Sequence, residues 1–554
     1  MANHASPIQR LGTWLETERR DLWVLLAYSL AIGLLTLVVP IATQSMVNTI
    51  AFGTLLQPLV VLASIVLLAL GFSSLLRAIR TWVVEIIQRR IFVRISSDAV
   101  QRLLRVRIEA FDDGHGPELV NRFFEVVTVQ KGGSILLIDG LAILIQTITG
   151  LVLLAVYHPL LLAFGVVIFS LILVIIFPLG RGAVGTAIEE SKAKFAMAAW
   201  LEELARHPAA FKSPAGVQLA MRRANALVED YLLERRKHFR ILFRQISSSL
   251  ALEALASAVL LAGGGWLVIQ RQLTLGQLVA AELIVAVVVG GFAKFGKQLE
   301  TFYDLLAAVD KLGYLTDLPL ESDKGVRLPD EGPASLRLRK LTFSYDGKRN
   351  VIDGLDAEIP AGSQVVLYSG IGEGKSTLID LLYRFRNPTG GTIEIDGLDY
   401  REVAISELRK QVALVRHVEI FQGTVLENIR LGNEAITVAE AREALERVGL
   451  LDQIRDLPGG IESPLSTGGL PLSQGQARRL MFARAVAQKP RLLVVDEAVD
   501  AIEDTPERER LLATLFDRRA PWTLVVATRH PDLASRCSRV LSLKKGAAVE
   551  EVVA

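Results

Sequence analysis

The chain has 554 residues, 51% of them hydrophobic, with a mean hydropathy of +0.38 and a formal net charge of +2. That length calls for more than one domain, and so apolar a balance directs attention to membrane segments first. The near-neutral charge lacks the basic footprint of a nucleic-acid binder, and the single cysteine, Cys537, rules out an intramolecular disulfide and a multi-cysteine metal site.

Residues 1–20 are polar and charged, without the short apolar core and small-residue cleavage site of a removable leader. They are expected to stay as a cytoplasmic N-terminus. Apolar runs of about 20 residues, the length that crosses a bilayer, then occur at 22–44, 59–76, 134–157, 159–179, 246–269 and 275–293. Six spans are predicted, within a transmembrane domain over residues 21–317.

The basic residues set an orientation. Arg77, Arg80, Arg89, Arg90, Arg94, Arg102, Arg105, Arg107 and Arg122 lie between spans two and three, and a similar set from Lys192 to Lys237 between spans four and five. The alternate connections are short: Ser45–Pro58 has no Lys or Arg, and the last turn only Arg271. Positive charge marks the cytoplasmic side, so both long segments and both termini are expected there. Arg77–Arg107 mixes apolar and charged residues at helical spacing without Pro or Gly, so the spans are predicted to continue as helical arms below the membrane. Gly114, Gly116 and Pro117 break the first arm, and Arg206–Pro214 the second. Asp139, Glu253 and Glu282 fall inside predicted spans, where a charge costs roughly 2.5–3.5 kcal/mol on insertion scales and must face protein or a wet cavity. Glu253 and Glu282 are candidates for a translocation path; a helix-packing hydrogen bond is the plainer reading.

The composition changes over residues 318–334, which carry the Pro, Gly and charge of a linker, and short β-rich runs then alternate with helical ones through residues 335–554. An apolar run, Val365–Tyr368, enters Ser369-Gly370-Ile371-Gly372-Glu373-Gly374-Lys375-Ser376-Thr377. A strand, a glycine-rich loop and a helix start in that order form a phosphate cradle, with Lys375 reaching the β- and γ-phosphates and the Ser376 hydroxyl on Mg²⁺. Ser369 stands where the motif has its first glycine. A second apolar strand ends in Asp496-Glu497. Asp496 would hold the Mg²⁺ through water and Glu497 would orient the attacking water.

Between the two lies Leu472-Ser-Gln-Gly-Gln-Ala-Arg-Arg. It resembles the Leu-Ser-Gly-Gly-Gln signature of ATP-binding cassette (ABC) ATPases, with Gln474 replacing one glycine. With all three motifs in order, the second block resembles the ABC exporter family. That resemblance implies a half-transporter: an all-α polytopic membrane domain with long cytoplasmic extensions, fused to an α/β P-loop ATPase. Its cofactors would be ATP and Mg²⁺, and each ATP would be shared between one subunit's phosphate loop and the other's Ser473, Gly475 and Gln476. The Phe111–Arg122 stretch resembles the family's first coupling segment, with Pro117 where a Gly is usual.

Further positions follow from the resemblance. Tyr345 matches the aromatic that stacks on adenine. Leu408–Asn428 matches the Q-loop region, but its Pro-Gln reads Arg416-His417, so His417 stands at the glutamine position, and Gln411 belongs to an earlier one. Asp500 and Glu503 replace the ends of the loop after the second strand. The switch histidine aligns with Thr528, followed by Arg529, while His530 comes two residues late. ATP hydrolysis is expected from Glu497, slowed by these altered positions. The chain would pair with itself or with a related subunit in a bacterial inner membrane. The runs Leu457–Ser473 and Val415–Thr424 are similar to the haemolysin and type I secretion group, which would imply peptide or protein export with a periplasmic adaptor; lipid or drug-like export is the alternative. A non-transporting regulatory ATPase is a third reading, disfavoured by six spans.

Overall fold

In the computed structural model, which describes residues 6–52, 56–112, 116–293, 295–368, 370, 372–503, 506–544 and 547–551, the chain divides into two units. The first comprises Met1–Arg105 and Phe111–Leu318; the second comprises Val106–Ala110 and Pro319–Ala554.

Unit one is helical. After α1 (Pro7–Thr17) come α2 (Arg19–Thr36), α3 (Val38–Phe52), α4 (Leu56–Arg105), α5 (Glu125–Ile135), α6 (Leu141–Tyr157), α7 (Pro159–Ile176), α8 (Ala183–Arg206), α9 (Pro214–Ile269), α10 (Leu275–Ala293) and α11 (Phe295–Thr316). Six stretches among the described residues are long and apolar enough to cross a membrane: Arg19–Thr49, Gln57–Arg105, Leu119–Tyr157, Pro159–Ile176, Pro214–Ile269 and Leu275–Thr316. They correspond to the six predicted spans. Large apolar side chains such as Leu67, Leu68, Val156 and Ile269 point outward, as hydrocarbon rather than water would favour, while Leu154, Leu161, Ile172, Leu260 and Ile284 form the interior.

Helix length accounts for the arms. At 1.5 Å per residue, α9 with its 56 residues runs to about 84 Å and α4 with its 50 to about 75 Å, against a hydrocarbon core of about 30 Å. Each therefore continues far past any single crossing. The second arm turns between α8 and α9, where the Ser213 hydroxyl accepts from the Gly216 amide and caps α9 ahead of Pro214. Trp200 packs edge-on to Phe211 at 5.5 Å and under the Arg223 guanidinium at 4.5 Å, so this break is a packed turn. In the first arm a short helix, Gly116–Asn121, follows the break, and Gly114 lies outside the described residues. Asp139 sits in a π-helical turn, Leu136–Gly140, between α5 and α6. Such a turn inserts an extra residue per hydrogen-bonded ring and shifts the register of the side chains after it.

Unit two is α/β. Its four-stranded antiparallel sheet has the order β2-β1-β4-β5, from β1 (Leu336–Phe343), β2 (Ile352–Ile359), β4 (Gly390–Ile395) and β5 (Leu398–Asp399). A six-stranded sheet has the order β10-β9-β3-β8-β7-β6. Its strands are β3 (Gln364–Tyr368), β6 (Val412–Val415), β7 (Leu492–Asp496), β8 (Thr523–Thr528), β9 (Arg539–Lys544) and β10 (Ala547–Glu551). The strands β3, β6, β7, β8 and β9 are parallel, and β7 and β8 are buried along their whole length, which explains their unbroken apolar sequences. Helix α12 (Lys375–Leu382) follows β3, and α13 (Gln474–Ala487) precedes β7.

The segment leading into β1 is tied down by side chains from the ends of β6 and β7. Arg491, just before β7, donates to the carbonyls of Pro329, Glu331 and Gly332 and to Gln411 Oε1, and pairs with Asp396 at 2.8 Å. Gln411 also donates to Asp330. The early-position glutamine is thus a framework residue, consistent with keeping it apart from the Q-loop.

Candidate nucleotide site

In an open parallel sheet, ligands bind at the carboxyl ends of the strands, and register decides which residues meet there. Thr528 pairs with Tyr368, Ala527 with Asp496, and Val415 with Val495. The ends of β3, β8, β7 and β6 are therefore level. The phosphate loop, Asp496-Glu497, Thr528 and Arg416 gather at one edge although they are spread over more than 150 positions of chain.

The loop after β3 has the backbone of an anion cradle. Gly372 and Gly374 have φ of 79° and 96°, a region in which a Cβ is strained. At Gly374 a Cβ would also stand 3.2 Å from the Val351 carbonyl oxygen. Helix α12 starts at once with Lys375, so its N-terminal amides and the positive end of its dipole face the loop. Lys375 is buried, and its Nζ donates to the Gly370 carbonyl at 3.1 Å. Glu373 accepts from the Gly370 amide at 2.7 Å, so a side-chain carboxylate takes a loop donor that a phosphate oxygen could also use. Ser369 and Ile371 lie outside the described residues. The Thr377 hydroxyl shares a hydrogen bond of 3.0 Å with the Tyr345 hydroxyl.

Tyr345 is half exposed beside this loop, edge-on to Phe343 at 4.9 Å and with the Arg386 guanidinium 4.8 Å from its ring centre. An aromatic with exposed surface next to a phosphate cradle can stack on a base.

The two acids after β7 differ in setting. Asp496 is buried, and its Oδ1 has no hydrogen-bond partner. Its Oδ2 lies 2.6 Å from Arg416 Nε, a close charge contact rather than an aligned hydrogen bond. Arg416 also meets Asp380 at 2.9 Å and donates to the Ser376 carbonyl at 3.3 Å. Glu497 has a left-handed backbone (φ 51°) and is held by its amide on the Ala527 carbonyl, and its carboxylate pairs with Arg529 at 3.1 Å. Placing a non-glycine residue there costs of order 1 kcal/mol, a strain of the kind that accumulates at functional positions.

The residues fit Mg²⁺ in kind. The Ser376 hydroxyl and the Asp496 carboxylate are hard oxygen donors, and the orphaned Oδ1 is an acceptor that a cation would satisfy.

Thr528 is fully buried at the end of β8, and its hydroxyl donates to Asp500 Oδ1 at 2.5 Å. Asp500 also accepts the Arg529 amide at 2.9 Å. His530 is exposed; its amide donates to Thr528 Oγ1 at 3.0 Å, and it stands just before the short helix Pro531–Ala534 without a side-chain capping bond. His417 is exposed too, one residue beyond the inward Arg416. In the signature segment, Ser473 caps α13: its hydroxyl accepts from the Gln476 amide and Gln476 Oε1 accepts from the Ser473 amide. A hydroxyl that accepts keeps its own hydrogen to donate, and a Cβ at Gly475 would meet nothing within 4 Å. This helix end is open to an anion.

Residues 22–292 match the family described as the ABC transporter transmembrane region, and residues 352–500 match the ABC transporter family itself. The chain belongs to the ABC transporter family. Among curated ABC relatives, it is 35% identical over 251 residues to the ATP-dependent lipid A-core flippase of Ralstonia nicotianae, covering 44% of this chain and 42% of that one. It is 29% identical over 303 residues to the uncharacterized ABC transporter ATP-binding protein YknV of Bacillus subtilis (54% and 50%). It is 30% identical over 331 residues to the mitochondrial ABC transporter B family member 24 of Arabidopsis thaliana (58% and 48%). The chain thus spans about half the length of the curated relatives it matches. A solved bacterial Atm1-family ABC exporter with ATP bound shares the fold, with a TM-score of 0.84 at 22% identity over 96% of this chain and 94% of that one.

Four participants in this ABC site were not assigned a role from sequence: Arg416, Asp380, Arg529 toward Glu497, and Asp500 toward Thr528. The available signal was charge. Arg416 and Asp500 were visible as departures from the family pattern, but the pattern drew attention to the neighbouring His417 and to Thr528 itself.

Proposed function

We propose that this chain is one half of an ATP-driven exporter. It binds Mg²⁺–ATP through Tyr345, the loop from Gly370 to Thr377 and Asp496, and hydrolyses it with Glu497 orienting water. A second copy or a related subunit supplies Ser473, Gly475 and Gln476 to the far side of each nucleotide. The observation that carries this reading is the conjunction of six membrane-length apolar stretches among the described residues with a phosphate cradle and a buried Asp496 beside a half-buried Glu497. In the proposed cycle, closure of two such domains on ATP biases the membrane helices between two states, and hydrolysis resets them. In the proposed orientation the termini and both arms are cytoplasmic, which the charge asymmetry of the connections supports.

The substrate class proposed is a lipid-like amphipath. Relatives named as lipid A-core flippases, in Ralstonia nicotianae and in Cupriavidus pinatubonensis among others, support it. Peptide export with a periplasmic adaptor is the competing reading. The test is reconstitution of the purified chain alone in liposomes, with ATP-dependent translocation of a fluorescent lipid and of a labelled peptide measured side by side. Lipid translocation abolished by Glu497→Gln supports the proposal. Peptide translocation alone would replace the substrate class. Activity that requires an added second subunit would replace the homodimer, and ATP turnover without movement of either probe would point to a regulatory ATPase.

A further inference from the structure

We propose that Arg416 is a resident counter-ion of Asp496 that the divalent metal must displace, so that this residue sets how strongly metal and nucleotide binding are coupled. The inference rests on the Mg²⁺–ATP reading above and goes beyond it. Register is the starting point. Val415 pairs with Val495 across parallel strands β6 and β7, which makes residue 416 the immediate neighbour of residue 496. Most side chains there would leave the carboxylate to a metal. Arginine instead brings a permanent, planar positive charge.

Its three anchors surround the metal position. Nε lies on Asp496 Oδ2 at 2.6 Å, Nη1 on Asp380 Oδ1 at 2.9 Å, and Nη2 donates to the carbonyl of Ser376 at 3.3 Å. Ser376 and Asp496 are the two protein donors for Mg²⁺, so the guanidinium bridges the backbone of one and the carboxylate of the other. A dication arriving at Asp496 Oδ1 meets a like charge across the same carboxylate, in a setting where Asp496 is buried and water screens little. Either the metal binds weakly, or Arg416 retreats to Asp380, which already holds its outer nitrogen. Asp380 thereby becomes the parking position of the displaced charge.

The reasoning fixes opposite signs for two variants. Arg416→Ser removes the competing charge and keeps Asp496. Asp380→Asn weakens the parking position and leaves the guanidinium with Asp496. The experiment measures the dissociation constant of the non-hydrolysable analogue AMP-PNP on the full chain in nanodiscs, once in EDTA and once in saturating Mg²⁺. The ratio of the two constants reports the coupling without any turnover. It is expected to rise at least tenfold in Arg416→Ser, to change less in Arg416→Lys, and to fall below the wild-type value in Asp380→Asn. An unchanged ratio in Arg416→Ser overturns the proposal. So does loss of AMP-PNP binding by Arg416→Ser in both buffers while Asp380→Asn still binds, because Arg416 would then serve the nucleotide or the fold rather than compete with the metal. Failure of the wild type to bind AMP-PNP in either buffer would overturn the ATP reading itself.

Discussion

The Asp500–Thr528 hydrogen bond offers a quantitative check on how the edge of the sheet is held. Thr528 is fully buried, and its hydroxyl donates to a carboxylate at 2.5 Å; the same carboxylate accepts the amide of the exposed Arg529 at 2.9 Å. A hydrogen bond to a charged group contributes about 1.5–3 kcal/mol, and a buried hydroxyl left without its acceptor costs about 1–3 kcal/mol. The Arg529 amide can turn to water and adds little. Asp500→Ala should therefore destabilise the nucleotide-binding unit by about 3 kcal/mol, and Asp500→Asn, which keeps an acceptor but loses the charge, by about half of that.

At about 2–4 °C per kcal/mol for a unit of this size, Asp500→Ala should lower its melting temperature by about 6–12 °C. The assay is thermal unfolding of the detergent-solubilised chain, following the transition that ATP raises. Thr528→Val removes the donor while keeping the shape. In the double variant the two losses should not add, with a coupling of about 1.5–3 kcal/mol. Strict additivity, with coupling below about 0.5 kcal/mol, would refute the claim that this hydrogen bond fastens the end of β8. Slower ATP turnover in Asp500→Asn at an unchanged AMP-PNP affinity would further place its effect at Glu497 and Arg529 rather than in nucleotide binding.

Three further outcomes are expected. Arg491→Ala leaves Asp396 unpaired and strips the Pro329, Glu331 and Gly332 carbonyls of their donor; breaking a buried charge pair of this kind costs about 3–5 kcal/mol, seen in the same ATP-raised transition, and a loss under about 1 kcal/mol would show that the linker is not held there. Burial pushes the Cys537 thiol from its ordinary 9.0 up to about 12, so at pH 8 a maleimide should label the unfolded chain and spare the folded one; because the folded state keeps this proton longer, the group's contribution to stability is complete below about pH 9 and lost as pH rises toward 12. Glu282 Oε2 is buried without a hydrogen-bond partner, and Glu253 Oε1 lies 4.0 Å from the position a Cβ at Gly290 would take; if these carboxylates serve the translocated headgroup, Glu253→Gln with Glu282→Gln should cut lipid translocation at least tenfold while sparing basal ATPase, and normal transport would remove them from the path.

What could be read from the chain and what could not divides along physical lines. The spans were legible because about 20 consecutive apolar residues have few other uses, and the arms because α4 and α9 run on without Pro or Gly at the membrane edge. The phosphate loop was legible because the positive φ at Gly372 and Gly374 demands glycine. Capping of α13 by Ser473 and Gln476 was equally local, a hydroxyl with an amide three residues on. The contacts that were missed all join residues far apart in the sequence, and strand register brings the first pair together. Residues 416 and 496 are neighbours only because β6 and β7 align Val415 with Val495, and nothing within a few residues of Arg416 announces it. Asp500, in the turn after β7, meets Thr528 because β7 and β8 pair Asp496 with Ala527. The extra residue of the π turn around Asp139 also escaped notice, since α and π turns share one composition.

Register also changes the meaning of the departures from the family pattern. Taken one at a time, an arginine before the Q position and a threonine at the switch position are lost functions. Together they form a charge arrangement: Asp496 faces Arg416, Glu497 faces Arg529, and Asp500 holds the backbone of that same Arg529 beside Thr528. Both acids proposed to serve hydrolysis are thus paired with arginines of the same chain. An incoming Mg²⁺–triphosphate would have to displace Arg416 toward Asp380 and loosen Arg529 from Glu497, which leaves the carboxylates to metal and water. On this view Arg416, standing where the family pattern has proline, adds a paired charge beside Asp496 and raises the requirement for nucleotide to assemble the site. The same exchange of partners explains why opposite effects are expected from Arg416→Ser and Asp380→Asn: one removes the charge that must move, the other removes the place it moves to.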